Sequence, residues 1–226
     1  MVEVSAVLPC RNEAPTIGVC VEKINSVFAS KNIFGEIIVV DNASEDSSIE
    51  IAVKAGAKVL NCPIIGYGGA CLEGIQNSSG KIIVVCDSDN TYDLNETPKL
   101  LDELAKGNDI IVGSRFLGKM EKGAMKPLHR YIGNPLLTFI FNILFGTNYT
   151  DSHSGFRVIK RGALKKLNLR DKKFNLTLEM LIEAKRKGLK VKEIPINYYA
   201  RISPSKLNSF RDGSRHLLFM LTERFK

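Results

Sequence analysis

The chain has 226 residues, 44% of them hydrophobic, which is enough to bury one large core and short for two, so a single domain over 1–226 is expected. It carries 32 Lys and Arg against 24 Asp and Glu, a formal +8 that favours anionic partners such as nucleotides or phospholipid surfaces. No recognised nucleic-acid module accompanies that charge, so nucleic acid is not an expected partner.

The opening run, Met1 to Pro9, has no basic n-region and is interrupted by Glu3. It is predicted to be a first strand rather than a signal peptide, and a cytoplasmic location follows. From there, apolar β-branched runs alternate with segments of helical period: Val4–Leu8 then Ala14–Ser30, Glu36–Val40 then Asp46–Ala55, and Lys58–Leu60 then Gly68–Asn77. The alternation continues with Lys81–Cys86, Glu96–Lys106 and Asp109–Val112. This is the pattern of βαβ units on a mostly parallel central sheet flanked by helices, an α/β fold whose ligands gather at the carboxyl ends of the strands.

Beyond residue 120 the pattern changes. An aromatic and aliphatic segment (Leu128–Phe145) precedes a short Gly155–Ile159 strand, a helix near Leu176–Lys187, a Val191–Ile196 strand and a basic tail. The longest apolar stretch, Tyr131 to Gly146, contains Gly133, Asn134, Pro135 and Asn142, and falls short of the ~20 residues of a spanning helix. With Lys126, His129 and Arg130 beside it, it suits a helix resting on a membrane surface, with Phe139 and Phe145 facing lipid. The five cysteines (Cys10, Cys20, Cys62, Cys71, Cys86) form no C-x-x-C pair and are expected as reduced core residues.

Four polar clusters directly follow predicted strands and should meet on one rim: Arg11-Asn12-Glu13, Asp41-Asn42-Ala43-Ser44, Asp87-Ser88-Asp89 and Gly113-Ser114-Arg115. Asp87 and Asp89 leave a strand one residue apart, facing the same side while the backbone stays extended. Hard divalent ions take such oxygen ligands and share the ion with substrate phosphates, although Asp and Ser are also ordinary turn residues. Asp41 suits a hydrogen bond to a nucleoside, and the segment Gly66-Tyr67-Gly68-Gly69-Ala70 would let a phosphate approach the start of the next helix. That segment fails the G-x-G-x-x-G pattern at Cys71, which argues against a nicotinamide dehydrogenase. Arg115 and Arg130 have the planar fork suited to a second anion.

Taken in order, these clusters resemble the family-2 glycosyltransferases of GT-A fold, in their dolichol-phosphate mannose synthase-like branch, from Val4 to about Arg215. The motifs that carry the resemblance are Leu8 to Glu13, Val40 to Ser44, Gly66 to Ala70, Asp87-Ser88-Asp89, Gly113 to Phe116, Asp151 to Arg157 and Ser205-Lys206-Leu207. The resemblance implies a hexose transfer from a nucleotide-diphosphate sugar to a polyprenyl phosphate, with residues 1–120 serving the donor and 121–226 the acceptor and the membrane. It places Pro9, Glu13 and Asp41 around the nucleotide, with Arg11, Asn42, Gly68 and Ser88 in the same donor site. Asp87 and Asp89 would hold Mg²⁺ or Mn²⁺, Arg115 and Arg130 the acceptor phosphate, and Arg201 and Lys206 the donor pyrophosphate. Asp89, Arg115 and Arg130 are thus the expected catalytic set.

The chain departs from relatives that read D-A-D-L-Q, since Asn90-Thr91 follows Asp89. Many relatives also continue into transmembrane helices, so a separate membrane partner is a further expectation. A saccharide or protein hydroxyl acceptor would instead need a general base, for which Asp151 and Glu179 are the candidates. A silent sugar-nucleotide or lipid-phosphate binding module is the non-enzymatic alternative.

Overall fold

The computed structural model describes residues 1–203 and 209–226. Five strands follow the predicted runs: β1 (Val4–Cys10), β2 (Gly35–Asp41), β3 (Lys58–Asn61), β4 (Ile82–Val85) and β5 (Ile110–Ser114). With β6 (Arg157–Lys160) and β7 (Val191–Pro195) they form a seven-stranded sheet of order β3-β2-β1-β4-β6-β5-β7. All pairings are parallel except those of β6, which runs antiparallel to both β4 and β5. The carboxyl ends of β1, β2, β4, β5 and β7 therefore share one edge with the amino end of β6.

Alternate residues of each strand enter opposite cores, as period-2 geometry requires. Ala6, Leu8, Val39, Val84 and Val158 pack against α1 (Ile17–Ser30), α2 (Ser48–Lys54) and α4 (Thr97–Ala105). Val7, Ile38, Val40, Ile83 and Val112 pack against α3 (Tyr67–Gln76), α5 (Asn134–Phe145), α7 (Leu176–Arg186) and α8 (Ser209–Arg224). In α1 the buried stripe Ile17, Cys20, Val21, Ile24, Val27 and Phe28 has the three- and four-residue spacing of one helical face. All five cysteines are buried free thiols, and burial pushes Cys20 up to about 12.

Three features differ from the sequence expectations. The basic tail forms α8, a 16-residue helix that packs on α5 and buries Met220. A short α6 (Arg161–Leu164) follows β6 directly. The apolar segment near residue 130 begins as a π-helix, His129–Gly133, before Pro135 opens the first turn of α5.

That last helix has two faces. Thr138 and Phe141 are buried, and Phe145 packs on the Phe141 ring at 4.9 Å, so Phe145 belongs to the core rather than to a lipid-facing surface. Tyr131, Ile132, Leu136, Phe139 (61% exposed) and Ile143 face outward. Among the described residues no helix is long and apolar enough to cross a membrane.

Candidate active site

The predicted rim exists, and its first part is built by turns in an uncommon conformation. Directly after β1, β2 and β4 the residues Asn12, Ala43 and Asn90 all have positive φ, at 50°, 63° and 58°. Such turns leave backbone groups unpaired by the sheet, so neighbouring side chains must satisfy them. The Asn12 amide donates to Ser44 Oγ at 3.0 Å, and the Glu13 amide to Ser48 Oγ at 2.8 Å. In return the Glu45 amide donates to Asn12 Oδ1 at 2.7 Å.

Three residues assigned to the donor have partners within the fold. Ser88 is buried and its hydroxyl donates to the Pro9 carbonyl at 2.7 Å, which ties the end of β4 to the end of β1. Asn42 spends its side chain on the next loop, donating to the Ile64 carbonyl at 2.9 Å and accepting from the Gly66 amide at 2.8 Å. Gly68 offers no open amide, because its N–H donates to the Lys173 carbonyl at 2.8 Å while that of Gly69 donates to Lys172 at 2.9 Å. A Cβ on Gly68 would lie 2.3 Å from the Asp171 carbonyl oxygen, so this glycine is needed for close backbone packing rather than for a phosphate.

The carboxylates remain at the centre. Asp41, the last residue of β2, is buried beside the end of β1 and accepts from the Ser44 amide at 3.2 Å. Asp89 accepts from the Thr91 amide at 3.1 Å and from its hydroxyl at 2.6 Å. Thr91 therefore braces Asp89 where a relative's Gln would stand, and Asn90 turns away to accept from Lys23 Nζ at 2.8 Å.

Asp87 is different: its Oδ1 is buried with no hydrogen-bond partner. Burial, and then the neighbouring Asp89 charge, push its carboxyl up to about 7, against a lowering from the Tyr67 hydroxyl and from Arg201 and Arg115. Gly155, at the amino end of β6, makes room for it. A Cβ there would come within 2.9 Å of Asp87 Oδ1 and 3.0 Å of the Tyr67 hydroxyl.

Two arginines close the site in ways the sequence did not show. Arg115 was expected to grip a free phosphate, but Nε and Nη2 form a bidentate pair with Asp151 at 2.7 Å each, and its amide donates to the same carboxylate at 3.1 Å. Its guanidinium also lies 5.3 Å from the centre of the Tyr198 ring. Arg115 and Asp151 are both buried, and their pair ties the end of β5 to the loop before β6.

Arg201 bridges two carboxylates from different strands, with Nη2 2.6 Å from Glu13 Oε1 and Nη1 3.1 Å from Asp89 Oδ2. Glu13, expected beside the nucleotide, is thus buried and ion-paired. Arg11 is exposed on the rim, and the Pro9 carbonyl faces inward to Ser88. Arg130, on the π-helical turn, lies 5.4 Å over the Tyr131 ring and makes no ion pair among the described residues. Lys206 lies outside the described residues.

Glu179, the other candidate base, accepts from the Arg170 and Asp171 amides at 2.9 Å and 2.8 Å, and so shapes the loop before α7. The site residues missed from sequence are Tyr67, Tyr92, Gly155 and Tyr198. Tyr92 accepts the Gly155 amide at 2.9 Å and meets the Tyr198 ring edge-on at 5.1 Å. Tyr67 and Gly155 lay inside quoted motifs, whereas nothing local marked Tyr198.

The donor chemistry can be tested against a divalent ion. An orphaned buried carboxylate oxygen, a second carboxylate on the same turn and a guanidinium already drawn to them form a centre with cation affinity. Among the described residues no group of three His, Cys, Asp or Glu side chains is placed to hold a metal alone. An ion here would complete its shell with substrate oxygens, as Mg²⁺ does. Asp87 and Asp89 fit that role.

The low-salt glycan biosynthesis hexosyltransferase Agl6 of Haloferax volcanii is 40% identical over 96% of the chain, which spans 52% of that protein. A dolichyl-phosphate hexose transferase of the same organism is 30% identical over 94% of the chain and 90% of its own length. The fold matches glucosyl-3-phosphoglycerate synthase of Mycobacterium tuberculosis, solved with Mn²⁺, uridine diphosphate and glucosyl-3-phosphoglycerate, at a TM-score of 0.77 and 23% identity. That match covers 98% of this chain and 79% of the other, which makes the fold GT-A. The model of glycosyl transferase family 2 matches residues 5–168, and to that family the chain belongs.

Proposed function

We propose that the protein is a metal-dependent hexosyltransferase that moves a sugar from a nucleoside diphosphate to a polyprenyl phosphate. The observation that carries this reading is the pair Asp87 and Asp89 at the end of β4, one oxygen of which is buried and unpartnered. Asp87 and Asp89 would hold Mg²⁺ or Mn²⁺, and the ion would supply positive charge to the departing diphosphate, where negative charge grows in the transition state. The Mn²⁺- and uridine diphosphate-bound synthase of the same fold supports that assignment.

The rest is done by the chain itself. Asp41 and the loop after β2 sit where the nucleoside would be recognised, with Asn42 holding residues 64–66 in place. Residues 1–120 supply this donor half and 121–226 the acceptor half. A phosphate acceptor is already ionised near neutral pH and needs placement more than deprotonation. The structure favours such an acceptor over a hydroxyl, because the obvious base, Asp151, is paired with Arg115 and fully buried. Arg130, which has no carboxylate partner among the described residues, is a guanidinium suited to place it.

The lipid part of the acceptor would arrive along α5, whose outward Ile132, Leu136, Phe139 and Ile143 suit peripheral contact with the cytoplasmic face of a membrane. The chain spans about half the length of the relative Agl6. The test is transfer of radiolabelled sugar from uridine and guanosine diphosphate donors, with Mn²⁺, to polyprenyl phosphate or to an oligosaccharide. Label in the organic phase supports the proposal. Label only in the oligosaccharide would replace it with a hydroxyl-directed transferase.

A further inference from the structure

Arg201 stands where a cation is wanted. Its two terminal nitrogens lie 2.6 Å from Glu13 Oε1 and 3.1 Å from Asp89 Oδ2, and the side chain is only 24% exposed. The carboxylates come from the ends of β1 and β4, which the parallel pairing of those strands brings side by side. The backbone that delivers Arg201 is pinned to the rim up to the preceding residue. Tyr198 donates to the Lys119 carbonyl at 2.9 Å, Tyr199 to that of Thr91 at 2.7 Å, and Ala200 to Glu121 Oε2 at 2.8 Å.

The guanidinium is nevertheless incompletely satisfied. Its Nε is buried and has no hydrogen-bond partner among the described residues, although a planar fork with five donors normally fills them when withdrawn from water. A carboxylate bridge thus holds Arg201 by its tips and leaves its inner N–H aimed at nothing. An oxyanion beside the guanidinium would satisfy that donor.

We propose that Arg201, which the family resemblance sets at the donor pyrophosphate, is in the unloaded protein a built-in counter-cation that competes with the divalent ion for Asp89 and must be displaced before it can meet the diphosphate. This rests on the reading that Asp87 and Asp89 hold the metal. Before loading, Arg201 neutralises Glu13 and Asp89 and keeps the rim from self-repulsion. A divalent ion alone must break the Nη1 contact and gains little. An ion with a diphosphate gives the released Nη1 and the idle Nε an anionic partner, so metal and diphosphate bind together better than either does alone.

The competition can be measured without turnover. Mn²⁺ is titrated into the full chain by electron paramagnetic resonance, alone and with saturating inorganic pyrophosphate, for the wild type, Arg201→Gln, Arg201→Lys and Asp89→Asn. In the wild type Mn²⁺ alone binds weakly and pyrophosphate tightens it. Arg201→Gln binds Mn²⁺ alone about tenfold more tightly, as expected for removing a like-charged competitor, and loses most of the tightening by pyrophosphate. Arg201→Lys, which keeps the charge in case the Gln variant does not fold, falls between the two.

Equal or weaker Mn²⁺ binding by Arg201→Gln, or by Arg201→Lys where only that variant folds, overturns the proposal. Mn²⁺ binding that survives Asp89→Asn unchanged overturns the placement of the metal itself.

Discussion

Replacing Asp87 by Asn should make the metal-free protein more stable while removing its function. Asp87 has its Oδ1 buried without a partner, and its carboxyl is raised from 3.8 to about 7, first by burial and then by Asp89. For an acid raised by folding, ionisation works against the folded state. The penalty is absent below the unfolded value, grows as pH climbs, and is complete above about 7. An elevation of that size corresponds to about 4 kcal/mol.

The amide introduced by Asp87→Asn is itself buried without a partner on one side, which takes back about 1–2 kcal/mol. The net gain is about 2–3 kcal/mol at pH 8, or roughly 4–12 °C in Tm for a chain of this length. Melting curves in EDTA at pH 8 and pH 4.5 provide the assay. The variant should melt higher at pH 8, lose that advantage at pH 4.5, and show no stabilisation by Mn²⁺ with a sugar nucleotide. A lower Tm at pH 8 would refute the argument that this carboxylate is held in an unfavourable ionised state awaiting a cation.

Other perturbations probe neighbouring parts of the site. Arg115→Ala leaves Asp151 buried and unpaired and should cost about 3–5 kcal/mol in chemical denaturation, so its loss of activity will follow from lost structure. Gly155→Ala places a Cβ 2.9 Å from Asp87 Oδ1; it should leave the fold intact yet weaken Mn²⁺-dependent binding of the donor about tenfold, read by calorimetry. Phe139→Ser should reduce co-sedimentation with anionic vesicles at unchanged Tm, because the side chain is 61% exposed. Phe145→Ser, by contrast, removes a ring packed at a tilt against Phe141 and should cost about 2–3 kcal/mol of stability.

The parallel half of the sheet was legible because buried strands have near-continuous β-branched runs, as in Ile37-Ile38-Val39-Val40 and Ile82-Ile83-Val84-Val85. The reversal at β6 was not. Four residues carry no sign of direction, and the antiparallel pairing follows because the long excursion through α5 leaves β5 and returns to β6 at the same edge. Helix α8 was hidden for another reason. Its Arg and Asp residues and Gly213 dilute the apolar pattern, and only packing on α5 gives Met220 and its neighbours a face to bury.

At the site, sequence located the carboxylates better than it located their roles. Asp87 and Asp89 were found because strand ends point at the rim whatever else the chain does. Ser88, Asn42 and Gly68 sit on the same rim, but left-handed turns and tight loop packing had prior claims on their hydrogen bonds. The same principle accounts for Arg115, whose partner Asp151 is 36 residues away and could not be inferred from spacing. A rim of polar side chains is therefore sorted by one physical question: which atoms the fold has already satisfied. Applied here, it leaves Asp87 Oδ1 and Arg201 Nε, a buried acceptor and a buried donor on one rim, and an ion bearing a diphosphate is a ligand that can answer both at once.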